Sequence, residues 1–247
     1  MQQDQARSIK RTLEVLEYFD ADKTCASVSE ISRELGYPQS STSILLKSLL
    51  NLGYLAYDNR TYRPTARVAL LGRGIRSQIL DDGNLMATLE EVSQRTGEMI
   101  FLASTAGLSV HYIYVIPATN PLRMHLRAGA VRSMAGSSTG HLFLSAKTDA
   151  EIAKIVERAS TIENNSQPTD LEEVMKAVRK IRKLGCLLST KTLNPGGGVL
   201  AKLLPQKIDG QPLAICIGGV GSILVKNFDQ YSTVMENAIT RHLSDLP

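Results

Sequence analysis

Apolar residues recur at helical spacing in three short segments near the start of the chain. The first segment, residues 7–19, predicts an amphipathic helix whose buried stripe is Ile9, Leu13, Val15, Leu16 and Phe19. The second segment opens with Ser27-Val28-Ser29-Glu30. This is a capping box, in which the Ser27 hydroxyl accepts a hydrogen bond from the Glu30 amide and the Glu30 carboxylate accepts one from the Ser27 amide. We therefore expect a short helix over residues 28–35, ended by Gly36.

A third helix and a hairpin are predicted directly afterwards. Pro38 suits a first helical position, and the helix is expected to end at Gly53. Its buried side consists of Leu45, Leu46, Leu49 and Leu52. Residues 54–57 and 61–63 are two short β-prone runs around the turn-forming segment Asp58-Asn59-Arg60. Three helices followed by such a hairpin predict a winged helix-turn-helix.

The remaining residues alternate between predicted helices and strands. Residues 65–80 indicate a linking helix, which Asp81-Asp82-Gly83 interrupts. Beyond it we predict helices over residues 85–95, 138–146, 149–159, 171–184 and 227–246, and strands over 99–104, 108–116, 122–127, 186–190, 199–204 and 213–218, the last two joined at Asp209-Gly210. Hairpin-joined strands with flanking helices indicate an antiparallel sheet. The predicted fold class is α+β, with a DNA-binding domain at residues 1–64, a linker helix at 65–83 and a sensor domain at 84–247.

The outward side of the third helix has the composition of a DNA-reading surface. Because the leucines fix the buried side, the opposite stripe is Ser40, Ser43, Ile44 and Lys47. Small hydroxyls near a helix N-terminus suit phosphates and base edges, and a lysine reaches phosphate or guanine. Ile44 has two interpretations, because it either covers a thymine methyl or packs on the second helix.

Two arginines of the hairpin complete the predicted DNA-binding surface. Arg60 at the tip and Arg63 beside it are placed for a phosphate or minor-groove contact, although each alone is an ordinary surface arginine. The predicted DNA-binding residues are Gln39, Ser40, Ser41, Ser43, Ile44, Lys47, Arg60 and Arg63.

Charge distribution supports this interpretation. The 247 residues include 28 basic and 24 acidic side chains, yet residues 39–76 hold six basic residues against Asp58 alone.

With 43% hydrophobic and 21% charged residues, the composition excludes a disordered or collagen-like chain. The three cysteines lie far apart, and no apolar run approaches the roughly 18 residues of a membrane span. We expect reduced thiols and a soluble, cytoplasmic protein with no membrane partner.

With these features the chain resembles the IclR (isocitrate-lyase-regulator) family of bacterial transcription factors. The resemblance rests on the segments RSIKRTLEVLEYF, SVSEISRELGYPQSSTSILLKSLLNLGYL, VRKIRKLGC and NPGGGVLAKLLP. It implies a winged helix-turn-helix, a linker helix and a C-terminal effector domain related to GAF domains, assembled as homodimers or dimers of dimers. The family usually has an arginine or another polar residue where Ile44 stands, so the resemblance leaves the target sequence open.

The resemblance also implies an effector site in the C-terminal part. The segment GSSTGHLFLSA, residues 136–146, stands where the family has a pocket segment, and a loop of small residues that opens a helix offers amides and hydroxyls to an anion. The implied effector-binding residues are Met124, Ser138, Thr139, Ser189, Val199, Cys216 and Gly218. Small polar residues beside apolar ones favour an organic acid, with aromatic acids included. Met124, Val199 and Cys216 are equally compatible with plain core positions.

The same segment matches a hydrolase motif. Gly136-Ser137-Ser138-Thr139-Gly140 fits G-x-S-x-G, the nucleophile elbow, with Ser138 as the nucleophile. An elbow follows a buried strand, whereas residues 128–135 contain no apolar strand run. Of the later histidines, His141 is too close in sequence to complete a triad and His242 lies on the closing helix.

No cofactor or metal is expected from the sequence. The four histidines lack metal-ligand spacing, and neither a Walker loop nor a dinucleotide fingerprint occurs. The predicted function is a transcription regulator, not an enzyme, that binds double-stranded operator DNA and a small organic-acid effector. A serine hydrolase and a sensor module that acts through protein contacts are the alternatives.

Overall fold

A computed structural model of the chain describes residues 2–19, 23–71, 83–119, 126, 128–162, 169–192, 194–208 and 210–243. The chain forms two compact units, Met1–Gln78 and Ile79–Pro247. The division falls within residues 65–83, the segment expected to link the two domains.

The described residues of the N-terminal unit form four helices and a hairpin. In chain order these are α1 (Gln2–Glu17), α2 (Val28–Leu35), α3 (Gln39–Asn51), β1 (Leu55–Asp58), β2 (Thr61–Pro64) and α4 (Ala66–Leu71). They enclose one small core of Val15, Ala26, Ile31, Leu46, Leu49, Leu55 and Tyr62. This arrangement confirms the predicted winged helix-turn-helix. The predicted linking helix is present as α4, and its remainder, residues 72–80, lies outside the described residues.

Local sequence signals determine where α2 and the hairpin begin and end. The Ser27 hydroxyl accepts from the Glu30 amide at 3.3 Å, and the Glu30 carboxylate accepts from the Ser27 amide at 2.7 Å, which confirms the capping box. Gly36, with φ 69°, ends α2 in the left-handed region. At the hairpin tip Asn59 and Arg60 have φ values of 49° and 63°. Positive φ at both residues of a two-residue loop is the turn whose twist matches that of the flanking strands.

Three details of this unit differ from the predictions. Ile9 and Leu13 are 63% and 52% exposed, because α1 meets the core through Val15, which lies about 200° around the helix from Leu13. Leu52 is 57% exposed, since it follows the last residue of α3. Pro38 is the N-cap residue rather than the first helical residue, because its ψ of 133° is not helical.

The C-terminal unit is built on a six-stranded antiparallel sheet in the order β5-β4-β3-β8-β7-β6. Its elements are α5 (Gly83–Thr96), β3 (Met99–Ala106), β4 (Ser109–Ile116), β5 (Val131–Ser133), α6 (Ser138–Leu144), α7 (Asp149–Ile162), α8 (Leu171–Leu184), β6 (Leu187–Ser189), β7 (Gly197–Ile208), β8 (Gln211–Val220), α9 (Gly221–Lys226) and α10 (Phe228–Leu243). Helices α5 and α10 cover one face of the sheet. Helices α6 and α8 cover the other face, and α7 packs on α8. The unit confirms the α+β prediction.

Several elements of this unit are longer, shorter or additional relative to the predictions. Strand β5 and helix α9 were not predicted, because three and six residues are too few to show a period. Strand β7 continues through Pro205, where its pairing with β8 shifts register between Leu203 and Lys207, since proline has no N–H for the ladder. The predicted strand over residues 122–127, except for residue 126, lies outside the described residues, and so does Asp209.

Candidate DNA-binding and ligand-binding sites

Helix α3 has one buried side and one exposed side. The buried side includes Thr42, Leu46 and Leu49, each at most 3% exposed. On the opposite side Gln39, Ser40 and Lys47 are exposed and Ser43 is half-buried. Ile44 is 68% exposed, so the interpretation that it packs on α2 is wrong. The outward face of α3 therefore combines small hydroxyls, one aliphatic side chain and one cation.

The first turn of α3 lacks a side-chain cap. Pro38 makes no side-chain hydrogen bond to the helix, whereas Ser27 and Asp170 cap α2 and α8 through their side chains. The Ser41 hydroxyl donates to the Pro38 carbonyl at 3.0 Å, which keeps this half-buried side chain close to the backbone. Helix N-termini combine unpaired amides with a partial positive charge, so this turn suits a phosphate.

The hairpin that follows α3 along the chain carries two arginines. Arg60 lies in the two-residue loop and Arg63 on β2, opposite Ala56. Both side chains are exposed, and neither forms an ion pair with another described residue. Arg67, at the start of α4, lies over the Tyr54 ring at 4.9 Å. Arg67 lies in the predicted linker helix, and it is one of the six basic residues between positions 39 and 76.

Those predicted effector residues that the structure describes lie on or beside the sheet face that α6 and α8 cover. Val199 is paired with Gly218, and Cys216 with Phe101. Val199 and Cys216 are 5% and 0% exposed. A Cβ on Gly218 would lie 2.6 Å from the Met99 Cε atom, so only glycine fits there without a shift of Met99. Met124 lies outside the described residues.

Two hydroxyl pairs connect α6 to this sheet. The Ser138 and Ser189 Oγ atoms are 2.8 Å apart, and the Ser138 hydroxyl also lies 3.1 Å from the Lys191 carbonyl. Thr139 is 3% exposed, and its Oγ1 atom is 3.0 Å from the Tyr112 hydroxyl. The structure thus brings Ser138 together with Ser189, and Thr139 together with Tyr112.

The start of α6 differs from the expected anion cradle. The Gly140 amide donates to the Ser137 hydroxyl at 3.0 Å, so this amide is not free for an anion. A Cβ on Gly140 would lie 2.1 Å from the Met134 carbonyl oxygen, so the helix packs directly on the preceding turn. The side chains on this face, and not that amide, are therefore the groups that remain for contact with an anion.

Tyr112 and Arg132 are polar residues of this face that the sequence analysis missed. The Tyr112 ring packs on Phe101 with centroids 4.6 Å apart, and the Arg132 guanidinium carbon is 5.5 Å from the Tyr112 centroid. Burial raises the pKa of Tyr112, while the bond to Thr139 and the Arg132 charge lower it less, so the phenol keeps its proton at neutral pH. Alternation along β4 was the available signal for Tyr112, which shares a face with Val110.

The geometry around Ser138 is not that of a hydrolase. The His141 Nε2 atom contacts the Ala135 carbonyl at 2.7 Å, and the His242 Nε2 atom contacts the Glu91 carboxylate at 2.9 Å. Both histidines are thus engaged away from Ser138. The strand that precedes the G-x-S-x-G motif, β5, is a three-residue edge strand with no buried residue, in agreement with the lack of an apolar run there.

The described residues contain no group of three or more His, Cys, Asp or Glu side chains that could hold a metal ion. None of the helices in the described part of the chain is both long and apolar enough to cross a membrane.

An exposed, uncapped helix in a winged helix-turn-helix, joined in one chain to a separate α+β unit, defines a DNA-binding transcription regulator. The model of the IclR helix-turn-helix domain matches residues 8–59, and that of the bacterial transcriptional regulator IclR C-terminal domain matches residues 84–196. The chain therefore belongs to the IclR family of transcription regulators, which confirms the resemblance. The family consists of regulators and repressors, not enzymes.

Two curated relatives illustrate the similarity. The Pca regulon regulatory protein of Pseudomonas putida is 24% identical over 191 residues, which are 76% of this chain and 66% of that protein, slightly under two thirds of its length. The transcriptional repressor IclR of Escherichia coli (strain K12) is 24% identical over 189 residues, covering 71% of this chain and 67% of the repressor.

Solved structures share the fold. The effector domain of the putative transcriptional regulator IclR from Acinetobacter sp. ADP1 is 26% identical with a TM-score of 0.62, covering 69% of this chain and 99% of that domain. An IclR homolog from Microbacterium hydrocarbonoxydans, complexed with 4-hydroxybenzoate, is 17% identical with a TM-score of 0.68, covering 95% of this chain and 99% of the homolog.

Proposed function

We propose that this protein binds a partly palindromic operator as a homodimer and that a small organic acid, bound by the C-terminal unit, changes its operator affinity. The observation that carries the DNA-binding part is the outward face of α3, where Ile44 is 68% exposed between Ser40 and Lys47. An aliphatic side chain held out in water at the centre of a small, polar helix face has an apolar partner when it meets a thymine methyl in the major groove.

The hairpin supplies the second part of the DNA-binding proposal. Arg60 and Arg63 are exposed cations, which would contact phosphates or the minor groove while the first turn of α3 meets the backbone. Operator half-sites about one helical turn or a multiple of it apart match a two-fold dimer. Pairing of dimers into tetramers is the further assembly we propose for longer operators.

The ligand part rests on the mixed character of one sheet face. Buried apolar residues such as Val199 and Cys216 lie near the hydroxyls of Ser138, Thr139 and Ser189. The Microbacterium homolog is complexed with 4-hydroxybenzoate, a planar acid that combines an apolar ring with a charged group. A ligand that prefers one arrangement of the two DNA-binding domains shifts operator affinity by a coupling of typically about 1 to 3 kcal/mol.

The deciding experiment measures binding to duplex DNA from the protein's own upstream region by fluorescence anisotropy at several salt concentrations. Lys47→Ala should weaken binding and reduce the slope of log affinity against log salt by nearly one for each phosphate that the variant no longer neutralises. Lys154→Ala changes another exposed lysine, on α7, and is the matched control. Binding that is absent, or a slope unchanged by Lys47→Ala, would count against the proposed docking of α3.

A further inference from the structure

Strand β5 directs an arginine onto the apolar face of the sheet. In the antiparallel register of β5 and β4, Arg132 is paired with Val110, and paired residues of antiparallel strands project to the same face. Val110 is fully buried in the cluster that also contains Phe101, Tyr112 and Cys216. The half-buried Arg132 side chain therefore leans over this cluster from the sheet edge, and its guanidinium carbon lies 5.5 Å from the Tyr112 ring centroid.

Arg132 has few partners for its charge in this position. One of its N–H groups donates to the Val131 carbonyl at 2.8 Å, and the side chain also hydrogen-bonds the Tyr112 hydroxyl, whereas a guanidinium carries five such donors. Within the described ranges no carboxylate lies within 4.0 Å of it. A partly desolvated cation beside an apolar surface is stabilised when an anion approaches it, because the pair then replaces the lost hydration.

The surroundings of Arg132 favour one shape of anion. The Tyr112 side chain beside it is 6% exposed, with its ring packed on Phe101 and its hydroxyl 3.0 Å from the Thr139 Oγ1 atom. A planar guanidinium fork at the edge of this apolar cluster matches a small molecule that has an apolar body and a terminal carboxylate, since the fork can make two parallel N–H···O bonds to the two carboxylate oxygens.

We propose that Arg132 binds the carboxylate of the regulatory ligand and thereby selects anionic over neutral ligands. This inference rests on the proposed function, because it concerns the ligand that modulates operator binding. It adds a charged residue to a set of effector positions that otherwise contains only hydroxyl, thiol and apolar side chains.

The test compares acids with their uncharged amides on the full-length protein. Isothermal titration calorimetry uses three pairs of probes: benzoate and benzamide, 4-hydroxybenzoate and 4-hydroxybenzamide, pyruvate and pyruvamide. At least one acid should bind the unaltered protein at least about 10-fold more tightly than its amide. Arg132→Gln should lower the affinity for that acid by about 10- to 100-fold and change the affinity for the amide by no more than about two-fold, because only the charge-assisted bonds are removed. Arg132→Lys keeps the charge without the planar fork, so its affinity for the acid should lie between those of the unaltered protein and Arg132→Gln.

Matched variants and a second readout separate this inference from the proposed function. Arg179→Gln removes an exposed arginine of α8 and should leave the acid affinity unchanged. Operator binding without any probe is recorded on the same preparations, together with the circular dichroism spectrum. Three outcomes would overturn the inference while leaving DNA binding in place. They are equal affinities for acid and amide, an equal loss of both affinities in Arg132→Gln, and no binding of any acid. A failure to bind the operator would instead refute the proposed function.

Discussion

Ser138 and Ser189 stand 51 positions apart in the chain, yet their hydroxyl oxygens lie 2.8 Å apart. The pair joins the first residue of α6 to the last residue of β6. It also anchors the Lys191 backbone, because the Ser138 hydroxyl reaches the Lys191 carbonyl at 3.1 Å and the Lys191 amide donates to the Ser189 hydroxyl at 3.1 Å.

A double-mutant cycle on this pair tests whether the two hydroxyls act as one unit. Ser138→Ala and Ser189→Ala should each lower the free energy of unfolding by about 1 kcal/mol, and the double variant should lose clearly less than the sum, because either change removes the same bond. Urea unfolding followed by circular dichroism measures the three values. Additive losses would show that the hydroxyls contribute independently.

The hairpin tip should show opposite effects on stability and on DNA binding. Arg60 has φ 63°, a region that costs residues with a Cβ about 1 to 2 kcal/mol, whereas glycine enters it freely. Arg60→Gly should therefore raise the free energy of unfolding by up to about 1 kcal/mol, while removal of the cation weakens operator binding. Arg60→Ala keeps the Cβ and should weaken binding without the gain in stability. Equal operator affinity in all three proteins would remove Arg60 from the DNA-binding surface.

The role proposed for Ile44 can be tested by changing single bases of the operator DNA. If its side chain covers a thymine methyl, replacing individual thymines of the half-site by uracil should weaken binding at one position by roughly 1 kcal/mol, because the change removes a single buried methyl group. Ile44→Ala should abolish the difference between thymine and uracil there, with little change in unfolding free energy because Ile44 is 68% exposed. Thymine and uracil operators that bind the unaltered protein identically would contradict this assignment.

Two glycines should respond very differently to alanine. At Gly140 a Cβ would lie 2.1 Å from the Met134 carbonyl oxygen, a backbone atom that cannot move aside cheaply. We expect Gly140→Ala to cost at least about 3 kcal/mol of stability, at the upper end of point mutations. Gly36→Ala meets nothing within 4 Å and is penalised only by its φ of 69°, so about 1 kcal/mol is expected. Thermal unfolding distinguishes the two, and similar losses would be inconsistent with the tight packing of α6.

Acid should destabilise the protein partly through His141. Burial lowers the pKa of His141 below its usual value, against a smaller opposite effect of its bond to the Ala135 carbonyl. In the unfolded chain the His141 imidazole takes up a proton at about pH 6.5, whereas in the folded chain it stays neutral until a lower pH. The free energy of unfolding therefore falls as the pH drops through that range. His141→Asn should flatten this dependence between about pH 7 and 5, measured by urea unfolding at each pH. The half-buried His111 of β4 provides a matched substitution, His111→Asn. An undiminished pH dependence in His141→Asn would contradict the assignment.

The N-terminal unit was the more predictable of the two because its signals are local. Ser27 with Glu30, Gly36 and the Asn59-Arg60 tip each fix a boundary within three or four residues, and the structure has each of them at the predicted place. The exposure of Ile9 and Leu13 was not predictable in this way, because the apolar spacing of α1 does not decide whether its Val15 side or its Ile9 and Leu13 side faces the core.

The ligand-binding face depends on contacts between distant segments. Tyr112 meets Thr139 across 27 positions, and Arg132 reaches the face only because a three-residue strand pairs with β4. Neither relationship leaves a periodic trace in the sequence. The resemblance to the family supplied the hydroxyl positions, whereas the arginine follows only from strand register.

The complete burial of Cys216 at the centre of the sheet gives the molecule an internal reporter of opening. Burial raises the pKa of this thiol far above its ordinary value, whereas Cys25 is exposed. An alkylating reagent, which reacts with thiolates, would label Cys25 promptly and reach Cys216 only as fast as the helices over this face part from the strands. The labelling rate of the Cys216 sulfur atom thus measures how often this face of the sheet opens.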